Sequence, residues 1–535
     1  MKPFEIERSA DRRKQSTQNG WQPKPGDRFF RPPRLKGFHL RRVLGIPGLF
    51  SIGYGDVGSS IYYGLGLVAV VALGATPIVL AIAGLIYVFN ALTYAEGSAM
   101  LPEGGGSASY ARHGFNDLIG FIAGWALMLS YIVTMAISAY TIPPYLAYFW
   151  PILKQPIFGT AMSMGFIFFL MIINVLGIRE SSRINIFFIS LDILTQITLV
   201  VIGALLILGP NPGILFQHMF GEGNWPSTNN LIFGIALAAL CFTGVESVSQ
   251  HGEETRQPQK KMSQTYMLMI VAVLVLFAGI SIVSLSAMTP QELGDPVNGW
   301  ARDPIAGIAH SISLAIEPES IATKIVSEQE PILIITWILT GLRNLLPILV
   351  ALLAASILLT ATNAGLLGIS RLTFNLSSHN QLPSVLKRVH HRFRTPYVGI
   401  ILFSLMAIAL LTPGLFAPSF FSDLGALYVF GSLLCFALAH AAIIGLRVKN
   451  PDLPRPFKLR LNFKIRGRDV PATAILGFAA TFIIWIVMLI TQPYGRWAGI
   501  IWMGIGVAIY LGYRRIRHLP MTHLPNQIRD THTKT

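Results

Sequence analysis

The stretch that decides the fold is GYGDVGSS at residues 53–60, inside an apolar segment that runs from Val43 to Ala75. Asp56 stands among three glycines and two serines of this stretch. A carboxylate at bilayer depth costs roughly 3 kcal/mol on insertion scales, so it is kept where it faces a protein cavity or a partner cation. Irregular backbone at that depth also needs protein or water partners. The stretch therefore predicts a broken membrane helix around a transport site.

The composition places the chain in a membrane. Hydrophobic residues make up 53% of the 535 residues, charged residues 12%, and the mean hydropathy is +0.57. Soluble domains carry roughly 25% charged residues. Apolar runs of about 20 residues, the length that spans a bilayer, predict an all-α integral membrane protein. About twelve transmembrane helices are expected, near residues 44–74, 77–101, 118–149, 157–178, 186–208, 231–250, 265–288, 342–370, 397–412, 420–446, 470–491 and 498–513.

Positive charge falls on alternate connections between these spans. Residues 1–42 are predicted to form a disordered basic tail, and 447–468 and the final tail, 514–535, are also basic, whereas 209–230 and 413–419 carry no Lys or Arg. The positive-inside rule then places both termini in the cytoplasm and the protein in the plasma membrane. The net charge of +16 follows from this topology. We therefore expect the lipid bilayer as a partner, no nucleic acid, and leave a homo-oligomer open.

The sequence carries no catalytic or metal-binding motif. Cys241 and Cys435 both lie inside predicted spans, which excludes a disulfide framework of the secreted type. No His/Cys metal spacing, Walker loop or nucleophile elbow occurs. We therefore expect no enzyme, no metal, no cofactor and no ATP-driven pump, so that energy would come from a proton or sodium gradient.

A second interruption occurs in the sixth span, where FTGVE at 242–246 brings a hydroxyl, a glycine and another acid into an apolar helix. Paired glycine-interrupted segments, five spans apart, indicate inverted repeats around a midplane site. Free N–H groups at one half-helix end favour anions, and free carbonyls at the other favour cations. The predicted transporter domain, 43–513, has repeats at 43–208 and 231–446 and two extra helices in 470–513.

Further short motifs follow the spans: YAE at 94–96, PEGGG at 102–106, NVLGIRES at 174–181, EE at 253–254, PQ at 258–259, ATNA at 361–364, SR at 370–371, TPY at 395–397 and RPFK at 455–458. With these motifs the chain resembles the amino acid–polyamine–organocation (APC) superfamily from about Val43 to Tyr513. The resemblance implies a 5+5 inverted-repeat, broken-helix transporter fold plus two C-terminal helices. It also implies a secondary active permease that works by alternating access, whereas the solute does not follow from the fold.

An amino acid or a related small amine is the leading substrate class within this resemblance. Permeases of this kind hold the substrate carboxylate on small residues and N–H groups of the first span, and the ammonium on carbonyls of the sixth. The matching positions are Gly53, Gly55, Gly58, Ser59, Ser60, Phe242, Thr243 and Gly244. Asp56 repels a carboxylate unless a cation or the substrate's own ammonium lies between them.

Potassium uptake is the alternative. The sequence YGDVGSS at 54–60 resembles the YGDIGTS signature of KUP-type potassium uptake permeases. The positions that match the ion site of related potassium importers are Asp56, Tyr63, Tyr131, Thr134, Thr243, Glu246 and Tyr428. Ser130 stands where those importers have an acid, and this loss removes about 4 kcal/mol of attraction at ~4 Å and an effective dielectric near 20. A non-transporting membrane sensor on the same fold is a lesser alternative.

Asp192 lies in the fifth span, where proton-coupled amino acid permeases of the superfamily place a lysine. Desolvation favours a protonated carboxylate at such a position, and a charged one would ligate a cation. Asp192 is therefore the predicted ion-coupling residue.

Structural roles compete with these functional ones. Glu246 also suits an anchor for the broken helix, and Tyr63, Tyr131 and Tyr428 suit packing residues whose hydroxyls find partners. Phe242 suits either a lid or the core. Glu96 is expected to bond loop amides, and His440 to be a satisfied interior histidine.

Overall fold

The computed structural model describes residues 42–177, 182–317, 329–417, 420–459, 461–465 and 467–522. The predicted basic tail up to residue 41, residues 178–181 of the fourth-span motif and the end of the chain from 523 lie outside them.

The described chain is built almost entirely from α-helices, as the composition predicts. In chain order these are α1 (Ile46–Ser59), α2 (Ile61–Ala72), α3 (Thr76–Met100), α4 (Ser107–Gly114), α5 (Asp117–Leu146), α6 (Pro156–Leu176), α7 (Ser182–Gly203), α8 (Ile214–Phe220), α9 (Thr228–Ala238), α10 (Val245–Ser249), α11 (Pro258–Ala287), α12 (Pro290–Gly294), α13 (Pro304–Ala315), α14 (Gln329–Ser378), α15 (Tyr397–Leu411), α16 (Phe420–Lys449), α17 (Ala472–Thr491) and α18 (Pro493–Ile516). An antiparallel hairpin of β1 (Asn462–Ile465) and β2 (Arg468–Pro471) lies between α16 and α17.

The number of spans agrees with the prediction of about twelve. Among the described residues, 11 helical stretches are long and apolar enough to cross a membrane. The first, Ile46–Met100, has 55 residues, which is enough for two crossings because about 20 residues span a bilayer. A 3₁₀ turn at Leu73–Ala75 divides it, and Leu73 has a φ of 46° there.

The outer surface of the helices is apolar. Leu205, Val275 and Ile490 are 67%, 66% and 70% exposed, respectively, whereas Tyr54 and Tyr131 are buried inside. Large exposed apolar areas mark contact surfaces, and here they cover the spans themselves. This distribution fits lipid as the surrounding solvent.

The sixth span is broken where the sequence predicts. Helix α9 ends at Ala238, a 3₁₀ turn occupies Ala239–Phe242, Thr243 is extended, and α10 begins at Val245. Gly244 has a φ of 103°, in the left-handed region that favours glycine. A Cβ there would also lie 2.8 Å from the Val57 nitrogen. Glycine therefore permits both the turn and the close approach of the two interrupted spans.

The first span is distorted rather than unwound. Helix α1 ends at Ser59 and α2 begins at Ile61, with Ser60 between them at φ −63° and ψ −27°, which are helical values. The N–H of Ser60 donates to the carbonyl of Val57 at 3.0 Å, so the chain tightens locally. The predicted interruption at 53–60 is thus confined to its last residue.

The two interrupted spans lie at the centre of the bundle. Helix α1 packs against α7, α10, α11 and α14, and α5 packs against α14 and α16. These contacts bring polar residues of the first, third, sixth and tenth spans to one place. The proposed boundaries of the inverted repeats remain a prediction.

Candidate functional site

Asp56 lies where the first and sixth spans meet, and it is 3% exposed. Ser247 Oγ donates a hydrogen bond to its Oδ2, and a Cβ on Gly244 would lie 2.9 Å from its Cγ. Its main-chain carbonyl accepts hydrogen bonds from Ser59 Oγ at 2.7 Å and Ser60 Oγ at 3.5 Å. Within the described part of the chain, no Lys, Arg or His forms an ion pair with this carboxylate.

Glu246, at the start of α10, is the second buried acid of this site. Its Oε2 accepts a hydrogen bond from the N–H of Gly244 at 3.0 Å. Its carboxylate is close enough to that of Asp56 for electrostatic repulsion, and it too lacks an ion pair with any basic residue that the structure describes. Two like charges in a low-dielectric interior destabilise each other. The pair therefore suits a bound cation or a shared proton.

Tyrosine side chains from three spans surround the two acids. Tyr131 of α5 and Tyr428 of α16 lie close enough to both carboxylates for the charges of Asp56 and Glu246 to act on their hydroxyls. Tyr63 of α2 lies within range of Asp56, and its hydroxyl donates to Ser60 Oγ at 3.4 Å. The structure thus brings together five of the residues predicted for the site.

Two hydroxyls at this site lack hydrogen-bond partners. Those of Tyr131 and of Tyr87 in α3 are buried and form no hydrogen bond of good geometry among the residues that the structure describes, although Ser247 lies close to the Tyr131 hydroxyl. Tyr87 lies within electrostatic range of Glu246, and its ring packs on Phe242 with centroids 5.6 Å apart. Phe242 also packs on Phe277, at 5.3 Å, so it forms part of the aromatic wall. Buried polar groups without partners are rare in proteins, so these two hydroxyls are candidates for contact with a ligand.

The predicted threonines donate their hydroxyl protons to main-chain carbonyls three or four residues earlier. Thr134 Oγ1 donates to the carbonyl of Ser130 at 2.9 Å, and Thr243 Oγ1 donates to that of Leu240 at 2.8 Å. Each hydroxyl oxygen can still accept a hydrogen bond. Contact with a solute stays a prediction for both residues.

The predicted glycines of α1 allow close packing. The side chains that fill the space beside Gly53, Gly55 and Gly58 are, respectively, Val248 with Met269, Ile189, and Tyr54. At Gly53 and Gly55 small residues let neighbouring membrane helices approach in this way, whereas the space beside Gly58 holds a side chain of α1 itself. Their predicted contact with a substrate stays a prediction.

Asp192 forms a separate polar centre on another face of the first span. It is buried, and Tyr62 Oη donates to its Oδ1 while Gln196 Nε2 donates to its Oδ2 at 2.8 Å. Tyr145 Oη in turn donates to the main-chain carbonyl of Tyr62 at 2.7 Å. Tyr54 of α1 lies within electrostatic range of Asp192. The fifth span thus contacts both halves of the first span next to the Asp56 site.

The family model of amino acid permeases matches residues 49–519. The chain belongs to the amino acid permease family. The permease is 25% identical to the branched-chain amino acid permease of Bacillus subtilis over 506 residues, covering 89% of this chain and 94% of that protein. It is 26% identical to the methylthioribose transporter of Bacillus subtilis (90% and 95% covered). It is also 26% identical to the human large neutral amino acids transporter small subunit 2 (89% and 79% covered).

These matches identify the permease as a multi-pass membrane transporter of the APC superfamily, as the motifs predict. Its family is one of transporters. The potassium interpretation finds no support in them, although Asp56 and Glu246 do lie together.

Glu96 of the permease is buried and fully paired, in contrast to the acids of the site. Arg447 Nε and Nη2 donate to its two oxygens, both at 2.7 Å, and the N–H of Leu459 donates at 3.2 Å. Arg455 Nε lies 3.8 Å away. The interpretation that Glu96 bonds loop amides is confirmed, and the two arginines add a structural ion cluster.

The interpretation of His440 as a satisfied interior histidine is also confirmed. Both ring nitrogens of His440 have partners, Thr93 Oγ1 and Asn90 Oδ1, each at 2.8 Å. Cys241 and Cys435 are buried and free.

Polar contacts join several spans of the permease on the side predicted to face the cytoplasm. Arg371 of α14 pairs with Glu254 at 2.9 Å and donates to His251 Nε2. The carbonyl of Glu254 accepts hydrogen bonds from the N–H groups of Val43 at 2.9 Å and Leu44 at 3.0 Å. The start of the first span, the connection after the sixth and the eighth span are therefore tied together.

Sequence reasoning missed Tyr87, Ser247, Tyr62 and Gln196 in these two centres. Gln196 could have been predicted, because it lies four residues after Asp192 on a helix and such pairs face each other. Ser247 follows Glu246 in the broken segment. Tyr87 and Tyr62 reach their acids through tertiary packing, which no local pattern encodes.

Proposed function

We propose that this permease imports an amino acid or a related small amine, driven by an ion gradient, through the site formed by Asp56 and Glu246. One observation carries the proposal: two acids are buried side by side at the break of the sixth span without a basic partner. Ionisable residues inside a membrane protein are costly and mark substrate or ion pathways. The broken helix at this place is the usual setting of a transporter site.

The relatives support the substrate class. Two of them are named for branched-chain or large neutral amino acids, and a third for methylthioribose. An amino acid offers an ammonium that the two acids can hold. Its side chain would face the aromatic wall of Tyr87 and Phe242, which suits apolar groups.

Asp192 is proposed as the coupling residue, with a proton or sodium as the ion. It is hydrogen-bonded by Tyr62 and Gln196 and lies in α7, which packs against α1. Because Tyr62 follows the Ser60 distortion and Tyr54, which lies near Asp192, precedes it, an ion at Asp192 would act on both sides of this joint. The gradient would thereby bias the conformation of the first span.

Alternating access would require the contacts on the predicted cytoplasmic side to separate. The Arg371–Glu254 pair and the hydrogen bonds from Val43 and Leu44 hold three spans together there. Release of solute into the cell would break these contacts, while the residues of the Asp56 site stay together. Rocking of one repeat against the other implies this pattern.

Reconstituted protein tests the proposal. Proteoliposomes would be given labelled leucine, other neutral amino acids or simple amines under an imposed pH gradient, a sodium gradient or neither. We expect accumulation of at least one solute under one gradient and its loss with an ionophore that dissipates that gradient. Protein-free liposomes control for leak. Solute binding without any uptake would favour the sensor interpretation instead.

A further inference from the structure

A cavity of about 280 Å³ lies between the connection that follows α14 and the end of α18. Its lining residues are Asn380, Ser384, Lys387, Tyr513, Arg517 and Leu519. None of them belongs to the Asp56 or the Asp192 centre. Both walls are basic segments that the positive-inside rule predicts to face the cytoplasm. The cavity is therefore a candidate site at the edge of the membrane, separate from the proposed transport site.

The two walls of this cavity are held by the start of α5. Arg514 Nη1 donates to Asp117 Oδ2 at 3.1 Å, and Gln381 Nε2 donates to the Asp117 carbonyl at 2.9 Å. The chain turns back after α18, where the N–H of Leu519 donates to the Arg514 carbonyl at 2.9 Å. Asp117 thus ties both walls to one helix, and its carboxylate is already paired with Arg514.

Two basic side chains of the lining, Lys387 and Arg517, have no acidic partner. Neither forms an ion pair with any residue that the structure describes. The sequence contains no Asp or Glu from 331 to 422 or from 470 to 529, so neither wall carries an acid of its own. The Arg517 guanidinium lies over the Tyr513 ring, 6.0 Å from its centroid. Like charges that line one cavity repel each other, and an anion between them relieves the repulsion.

The other polar lining residues supply neutral hydrogen-bond donors. Ser384 and Tyr513 carry hydroxyls, and Asn380 carries an amide. Phosphate oxygens accept hydrogen bonds from such donors and stronger ones from ammonium and guanidinium groups. Sites for whole small molecules measure roughly 300–1,000 Å³, so this cavity suits one phosphate headgroup better than a large polyanion.

Exposed apolar side chains adjoin the cavity and favour a lipid over a free ion. Ile509, Tyr513 and Arg517 are spaced four residues apart, so they follow one side of α18 to its end. Ile509 and Ile516 on α18 and Val385 on the other wall are exposed. Tyrosines and long basic side chains at the ends of spans reach the headgroup level of a bilayer. Acyl chains would cover the apolar surface, whereas a free phosphate would leave it bare.

From this arrangement we infer that the cavity binds the phosphate headgroup of an anionic phospholipid. Lys387 and Arg517 are its cationic contacts, and its acyl chains lie along the Ile509 side of α18. Basic pockets between membrane helices bind anionic headgroups in this way. The ends of this chain are poor competitors for the cavity, because residues 1–41 and 523–535 both contain more Lys and Arg than Asp and Glu.

Native mass spectrometry of the purified full chain in detergent tests the inference. The probe is an equimolar mixture of phosphatidylglycerol and phosphatidylcholine with identical acyl chains, so that the two lipids differ in headgroup and net charge alone. We expect the unmodified chain to retain one phosphatidylglycerol about tenfold more than phosphatidylcholine, since each basic residue near the headgroup adds to the attraction.

Paired double variants assign this preference to the cavity. Lys387→Gln with Arg517→Gln should bring the ratio of the two lipids close to one. Lys464→Gln with Arg468→Gln removes the same two charges from exposed positions of the β1–β2 hairpin and should leave the ratio unchanged. Size-exclusion chromatography and thermal unfolding measure the folded fraction of each variant.

Two further measurements on the unmodified chain locate the lipid and identify its chemistry. Phosphatidylglycerol with a photoactivatable group on an acyl chain, in phosphatidylcholine nanodiscs, should label the part of α18 that contains Ile509 and Ile516. Inorganic phosphate and glycerol 3-phosphate at millimolar concentration should not displace the bound lipid.

The inference is overturned if the two lipids are retained equally, or if the hairpin control lowers the ratio as much as the cavity variant does. Labelling that falls on other spans and spares α18 would also contradict it. Displacement by either soluble compound would assign the cavity to a soluble phosphate instead. All of these readouts measure lipid binding, so they stand apart from the uptake that tests the proposed function.

Discussion

The permease buries carboxylates in two regions and treats them in opposite ways. Glu96 receives two hydrogen bonds from Arg447, one from the N–H of Leu459, and a second guanidinium from Arg455. Asp56 and Glu246 are buried as deeply, yet neither forms an ion pair with a basic side chain among the described residues. The chain therefore has the means to neutralise a buried acid, and it leaves the pair at the sixth-span break without a basic partner.

The presence or absence of a basic partner distinguishes a structural buried acid from a candidate functional one. A buried ion pair is stable when its geometry is good and the remaining lone pairs are satisfied, as at Glu96. An unpaired acid raises the free energy of the folded protein unless another species binds to it. Glu96 uses its charge to hold α3, α16 and the following connection together, whereas the charges of Asp56 and Glu246 remain available to the solute that we propose binds there.

The largest expected effect is loss of transport in Asp56→Asn. The substitution keeps shape and removes the charge that a cationic group would contact. Loss of ~3 kcal/mol of interaction corresponds to a roughly 100-fold decrease. Initial uptake rates in proteoliposomes, divided by the amount of inserted protein, measure the effect. Uptake that equals the unmodified rate would remove Asp56 from the site.

Glu96→Gln should have the opposite pattern, with stability lost and transport retained. Arg447 and Arg455 would be left buried beside a neutral amide, and breaking a buried pair costs about 3–5 kcal/mol. Thermal unfolding in detergent should shift to a lower temperature, while uptake per folded molecule should stay near the unmodified value.

An exposed ion pair provides the control for this second prediction. Lys458 and Asp469 lie 3.0 Å apart with side chains 50% and 44% exposed, and such surface pairs contribute about 0–1 kcal/mol. Asp469→Asn should therefore leave the unfolding temperature nearly unchanged. If Glu96→Gln were as mild as this control, the two regions would not differ in the way described.

The fold was accessible from the sequence because membrane spans are strong local signals. Short segments carry the signals that were used: twelve apolar runs, the glycine and acid in the sixth span, and the basic residues of the loops that connect the spans. The nature of the first-span distortion was not accessible. The hydroxyls of Ser59 and Ser60 bond the Asp56 carbonyl while Ser60 keeps nearly helical dihedrals, and residue type alone does not distinguish this from an unwound segment.

The residues of the site could be predicted from the sequence, but the partners of the buried side chains could not. Asp56, Glu246, Tyr63, Tyr131 and Tyr428 come together as the motifs predict. The partners of Glu96 are about 350 residues away along the chain, so no spacing rule finds them. Ser130 faces the tenth span, where a Cβ on Gly431 would lie 2.9 Å from its hydroxyl. The missing acid of the potassium site thus leaves a packed helix contact in its place.

A third, smaller effect is expected from Asp192→Asn, which keeps the hydrogen-bonding shape but cannot bind a proton or pair with sodium. Accumulation driven by the gradient should fall about tenfold, the ratio that ~1.4 kcal/mol of lost coupling represents. Exchange of labelled for unlabelled solute across proteoliposomes without a gradient should continue. Accumulation that still follows the imposed gradient would place the coupling site elsewhere.

The smallest effect concerns Glu103, an acid at the edge of the bundle with partners of its own. Arg112 lies 3.6 Å and His113 3.4 Å from its Oε1, and Ser109 donates a hydrogen bond to the same oxygen. Burial alone would raise the pKa of Glu103, but the charges of His113 and Arg112 outweigh it and lower the pKa from 4.5 to about 2.

Because this pKa is lowered in the folded protein, the stabilisation it represents is complete above about pH 4.5 and is lost as the pH falls towards 2. Glu103→Gln should therefore reduce stability by about 1.5 kcal/mol near pH 7, the scale of a hydrogen bond to a charged group. Unfolding temperatures of the two proteins should converge between pH 4.5 and pH 2.5. A constant difference over that range would show that Glu103 contributes through packing and not through its charge. Glu103 would then resemble neither the paired Glu96 nor the unpaired Asp56 and Glu246.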